Sequence, residues 1–166
     1  MREITREDLS MMTDPSCWGV RKRPDGNGVF PDGSEWGAQE AWPCYLRRAL
    51  GPRVSIMGFW CHENVAARLL VEASERHDFA VIDGRWLVDG WVRSFSGAET
   101  DGIYDLADPD ELSRIRETHG EPGRWHRSAC LEAAIDMEGP ARREAAMQGV
   151  LIAAATDTGP QAATGL

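Results

Sequence analysis

Apolar positions in this chain come in short blocks whose spacing switches between helical and extended. In 38–50, Ala41, Tyr45, Leu46, Ala49 and Leu50 recur at helical spacing, Pro43 suits a first turn, and Gly51-Pro52 supplies the stop. Residues 53–60 (RVSIMGFW) read as extended, with Gly58 a point of bending. A second helix is predicted over 61–74, where Val65, Leu69 and Glu72 or Ala73 fall on one side and Ala66 and Leu70 widen the apolar stripe. Two β runs follow, 79–82 and 86–88, joined by Asp83-Gly84-Arg85; Asp-Gly between apolar runs signals a hairpin, because glycine takes positive φ cheaply. Residues 91–95 alternate like a third strand of this group, and 103–106 like a further short one.

Beyond these strands the pattern turns helical. Asp108 is placed as an N-cap, Pro109 as the first helical residue, and Gly120 as the stop after His119. Residues 129–137 and 141–155 complete a helical C-terminal part, broken at Gly139-Pro140. Between Asp14 and Trp36, two Pro-Asp-Gly turns predict loops or a short hairpin. The expectation is one α+β domain over 1–155, and a small, polar tail over 156–166.

Composition narrows the classes of function. The 166 residues carry a formal net charge of -9, which argues against a nucleic-acid surface because phosphate contacts need clustered Lys and Arg. The opening residues are polar and no stretch reaches the length of a membrane span, so a cytoplasmic protein without nucleic-acid or membrane partners is expected. Cys17, Cys44, Cys61 and Cys130 are scattered, with no Cys-x-x-Cys pair, and read as reduced thiols. A zinc set of Cys61, His62, His119 and His126 lacks the usual ligand spacing. Neither a metal nor a cofactor is expected.

Candidate chemistry concentrates in Cys61-His62-Glu63-Asn64, His77 and Asp89. A thiol nucleophile needs a base to take its proton, a carboxylate to fix the imidazole, and a helix start to favour the thiolate. His77 precedes the first hairpin strand and Asp89 follows the second, so antiparallel pairing returns the two to one place. Each residue also has an ordinary role: Cys61 a buried core thiol, His77 a helix-end histidine, Asp89-Gly90 a turn. Cys17 and Cys44 are rival thiols, the first in a loop and the second flanked by the packing residues Trp42, Tyr45 and Leu46. No Gly-x-Ser-x-Gly elbow, P-loop or dinucleotide-binding glycine pattern is present.

The order Cys61-His62-Glu63-Asn64, His77-Asp78-Phe79, Leu87-Val88-Asp89 and Gly102-Ile103-Tyr104-Asp105-Leu106 resembles the core of papain-like or transglutaminase-like cysteine hydrolases, in particular small bacterial proteins of that kind. The resemblance spans 60–125. It implies a papain-like fold, with a helix packed on a small antiparallel sheet, and a thiol that attacks an amide, ester or thioester carbonyl of a small molecule, peptide or protein. Cys61 would be the nucleophile, His77 the general base and later acid, and Asp89 the orienting carboxylate. The Cys61 backbone N–H would be one oxyanion donor, with Gln39 or Asn64 a second; His62 and Trp60 are candidate substrate contacts. The seven tryptophans either line a groove or cap core edges. The reading from another class is a non-enzymatic binding or accessory protein with a tryptophan-rich recognition surface.

Overall fold

Thr5 and Asp8 close the first turn of a helix at the start of the chain: Asp8 N–H donates to Thr5 Oγ1 at 3.2 Å and Thr5 N–H to the Asp8 carboxylate at 2.9 Å. In the computed structural model, which describes residues 2–14, 21–22, 28–30, 32–34, 41–64, 76–95 and 100–156, this helix is α1 (Arg6–Thr13). β1 (Arg21–Lys22) and β2 (Gly28–Val29) pair antiparallel in the first third, where loops or a short hairpin were expected; the residues between them lie outside the described ones. Helix α2 (Ala41–Leu50) leads through a 3-10 turn into β3 (Val54–Trp60). Then come β4 (Arg76–Ile82), β5 (Trp86–Val88), α3 (Gly90–Phe95) and β6 (Ile103–Asp105). The chain continues with α4 (Pro109–His119), β7 (His126–Arg127), α5 (Ala129–Asp136) and α6 (Pro140–Thr156).

The predicted hairpin organises the main sheet. Asp83 and Gly84 take φ of 52° and 67°, and the turn sets Ile82 opposite Trp86. Strand order is β6-β5-β4-β3-β7, and every neighbouring pair is antiparallel. The fold class is α+β.

Pleating divides the sheet into two apolar faces. Val54, Ala80, Ile82, Val88 and Ile103 pack with Leu9 of α1 and Trp42, Tyr45 and Leu46 of α2. On the other face Phe59, Phe79, Val81 and Leu87 meet Tyr104 of β6 and Ile115 of α4. Phe59 and Phe79 are at most 1 % exposed, and each contributes about 1.5–3 kcal/mol through burial. This second face carries the functional cluster.

Several expectations change. Residues 91–95 lie in α3, because the Asp89 carboxylate accepts from Val92 N–H at 3.1 Å and starts a helix where alternation predicted a strand. Strand β4 begins at Arg76, so His77 lies inside it, opposite Phe59. Cys61, His62 and Glu63 form a turn directly after β3 and Asn64 follows it without helical structure, where the start of a helix was expected; residues 65–74 of that helix lie outside the described residues, as does the tail from 157. The helix that packs on the sheet is α2. Among the described residues, no helix is long and apolar enough to cross a membrane.

Candidate functional site

Asp89 follows β5, and its backbone N–H donates to Gly102 O at 2.7 Å. Its Oδ1 caps α3, which leaves Oδ2 directed at two histidines. His77 Nε2 lies 2.5 Å from that oxygen and His119 Nε2 2.8 Å. His77 is placed by β4. His119 ends α4 and continues the buried stripe of that helix one turn after Ile115. Exposure of the three residues is 2 %, 1 % and 0 %, and their two ring nitrogens and carboxylate oxygen lie within 4.8 Å of one another.

Aromatic rings enclose this cluster. Phe59 and Trp91 stand 5.7 and 5.4 Å from the His77 ring, and Phe79 and Tyr104 stand 5.1 and 5.7 Å from the His119 ring. Trp125 lies edge-on to Phe79, and its Nε1–H donates to the His119 carbonyl at 3.0 Å. In such a medium a carboxylate survives only if it is paired. Burial works against the Asp89 charge, but His77 and the hydrogen bond from His119 outweigh it and hold this carboxyl well below the usual carboxylate range. Burial also opposes a charged His77, yet the adjacent Asp89 raises this imidazole above its ordinary value. For His119 burial prevails and lowers it. His77 Nδ1 is buried and has no hydrogen-bond partner.

Cys61 adjoins the same face. It follows Trp60, whose partner across the ladder is Arg76, the residue before His77. Glu63 N–H and Asn64 N–H both donate to Trp60 O, at 3.0 and 3.1 Å, and close the turn. Cys61 is 4 % exposed and packs with Phe59, Phe79 and Tyr104. The atoms that converge around Asp89 Oδ2 are those of the two histidines; Cys61 is not among them.

The other expected site residues fall in different places. Asn64 Nδ2 donates to His119 O at 2.9 Å and its Oδ1 accepts from Glu121 N–H at 3.2 Å, so its amide ties the Cys61 turn to the end of α4. Gly120, at φ 69°, allows this: a Cβ there would stand 1.6 Å from Asn64 Oδ1. His62 is exposed beside Glu63. Trp60 is 38 % exposed and points to the opposite face, under Arg76 at 5.6 Å. His126 bonds Glu63 at 3.0 Å, so Cys61, His62, His119 and His126 do not assemble into one ligand set. Gln39 and Cys17 lie outside the described residues. Cys44 packs with Ile56 and Ile135 in the core, and Cys130 is exposed.

A cleft of about 480 Å³ lies against Gly58, Trp60, Arg76, Asp78, Ser128 and Cys130. Phe59 also borders it, but His77, which alternates with Arg76 and Asp78 along β4, points to the other face and does not line the cleft. The chemistry of the site rests on the buried cluster.

His119 is the residue that sequence reasoning missed as a partner of Asp89. Its one signal is position, four and seven residues after Ile115 and Leu112, where it completes an apolar stripe instead of facing solvent. Together the cluster offers a fixed carboxylate, an imidazole with one nitrogen engaged and one unengaged, and a second imidazole on the same carboxylate oxygen. Such a set can move a proton or hold a cation. Comparison of the chain with family models, with curated proteins and with solved structures finds no match to any of them.

Proposed function

We propose that this protein is a cysteine-dependent hydrolase or acyl transferase with a papain-like core, acting in the reducing cytoplasm on an amide, ester or thioester bond. The observation that carries the reading is His77: Nε2 is fixed on Asp89 at 2.5 Å, while the buried Nδ1 has no partner. A buried ring nitrogen without a hydrogen bond is costly, about 1–3 kcal/mol, and groups of this kind are retained where chemistry uses them. Cys61 packs on the same sheet face.

In this mechanism His77 Nδ1 takes the proton from Cys61 Sγ, and Asp89 stabilises the imidazolium that forms. The thiolate adds to the acyl carbon. The imidazolium then returns its proton to the leaving nitrogen, oxygen or sulfur, and a thioester on Cys61 remains. Water, or an acceptor amine or thiol, gives a proton to His77 Nδ1, attacks the thioester and releases Cys61. Trp91 and Trp125, which border the cluster, exclude water from the imidazole and offer apolar walls to the acyl group.

The test is reaction of the intact protein with an acyl-directed electrophile, such as a peptidyl or simple aliphatic vinyl sulfone, followed by peptide mass spectrometry. Labelling of Cys61 in preference to Cys44 and Cys130, lost in His77→Ala, supports the reading. Labelling that follows exposure alone, with Cys130 first, overturns it and favours a binding protein.

A further inference from the structure

We propose that His77, Asp89 and His119 form a site for one divalent transition-metal ion of the zinc class, and that the bound ion switches off the thiol chemistry. The second half rests on the hydrolase reading above; the first does not.

Two imidazoles and a carboxylate, brought from β4, the end of β5 and the end of α4, are a donor set suited to zinc, cobalt or iron and unlike the all-oxygen sets of calcium and magnesium. Both histidines present Nε2 to the same carboxylate oxygen. Zinc binds nitrogen and oxygen at about 2.0–2.2 Å, which sets neighbouring ligands roughly 3–3.5 Å apart. The two contacts at 2.5 and 2.8 Å need to open by about half an ångström to admit the ion.

Outer contacts also fit. Asp89 Oδ1 is fixed by Val92 N–H, and His119 Nδ1 lies 2.8 Å from Thr118 Oγ1. Thr118 Oγ1 is 2.9 Å from Arg114 O, which can only accept, so the hydroxyl can donate there and accept Nδ1–H from His119. When an ion enters, this Nδ1–H tautomer replaces the Nε2–H bond to Asp89 Oδ2, and the Nε2 lone pair and the carboxylate oxygen both face the cation. Metal-bound histidines are held by outer partners in this way.

Binding at His77 Nε2 has a consequence for Nδ1. The neutral ring keeps one proton, which must then sit on Nδ1, the nitrogen that takes the Cys61 proton in the hydrolase mechanism. A metal ion on Nε2 and a free base on Nδ1 exclude each other.

The experiment titrates the metal-stripped full chain with Co²⁺, follows visible ligand-field absorption, and measures iodoacetamide alkylation of Cys61 with and without Zn²⁺. Stoichiometric Co²⁺ absorption that Zn²⁺ displaces is expected, lost in His119→Gln. Thr118→Val, at a half-buried position, should keep the fold by circular dichroism and bind Co²⁺ about 10–100-fold more weakly. Absence of absorption from the folded wild type, or absorption of equal affinity in both variants, overturns the site. Zn²⁺ should slow Cys61 alkylation, and a chelator should restore it. Cobalt binding with Cys61 alkylation unaffected by Zn²⁺ supports the site and overturns the switch; cobalt binding with slow, unselective alkylation supports the site and removes the hydrolase reading.

Discussion

Asn64 and His119 are joined by a hydrogen bond of 2.9 Å from the Asn64 amide to the His119 carbonyl, across 55 residues of chain. Because Asn64 Oδ1 also accepts from Glu121 N–H, its amide ties the turn that begins with Cys61 to the helix end that carries His119 by two bonds. Asn64→Ala removes both hydrogen bonds, although the His119 carbonyl keeps that from Trp125 Nε1, and at about 0.5–1.5 kcal/mol for each bond should destabilise the protein by about 1–3 kcal/mol, measured by urea denaturation.

Gly120→Ala tests the same junction from the other side. An added Cβ meets the Asn64 side chain, and the backbone there, φ 69° and ψ -161°, is a region that only glycine adopts readily. The cost should exceed that of Asn64→Ala. In a double-mutant cycle, Asn64→Ala should reduce it by removing the clash while the backbone strain of about 1–3 kcal/mol remains; strict additivity would show that the two residues do not touch.

Asp89 holds a cap and two histidines at once, and its variants separate these roles. Asp89→Ala removes the buried charge together with the Val92 cap and should cost about 3–5 kcal/mol. Asp89→Asn can still accept from Val92 N–H, so its loss should be smaller. Equal midpoints for the two variants in denaturant would contradict this division.

A second buried carboxylate, Glu132 on α5, accepts from Ile56 N–H at 2.8 Å and from Arg127 at 2.8 Å. Burial raises its affinity for a proton, but Arg127, the Ile56 N–H and Arg47 outweigh that and lower its pKa in the folded state. As pH falls, the unfolded chain therefore binds the proton first. The stabilisation is complete above the ordinary glutamate value and is lost as pH drops from there through the lowered folded-state value. Thermal unfolding across this acid range should show a shallower pH slope for Glu132→Gln than for the wild type.

The sequence made the His77–Asp89 pairing legible because its cause is local: one Asp-Gly turn lays β5 back along β4, so that Asp89 at the end of β5 comes alongside His77 within β4. The Asp108 cap and the Gly120 stop were legible for the same reason. His119 was not, since its approach to Asp89 depends on how α4 lies across the sheet, which no local spacing encodes. At 91–95, alternation of apolar and polar residues pointed to a strand, and the Asp89 cap produced a helix instead. Helix α1 was readable in principle, because Thr5 and Asp8 stand at the spacing of a capping box. Asn64 looked like a donor for substrate by virtue of standing near Cys61; its tie to His119 is again a tertiary contact.

The central claim, that His77 serves as base to the Cys61 thiol, is tested most directly by alkylation of each cysteine with iodoacetamide at neutral pH, in the wild type and in His77→Gln. Exposure alone orders the thiols with Cys130 ahead of Cys61, which is 4 % exposed. An activated thiolate reverses that order: Cys61 should react faster than Cys130 by about tenfold or more and lose the advantage without His77. A Cys61 that stays protected, or that reacts equally in both proteins, contradicts the account.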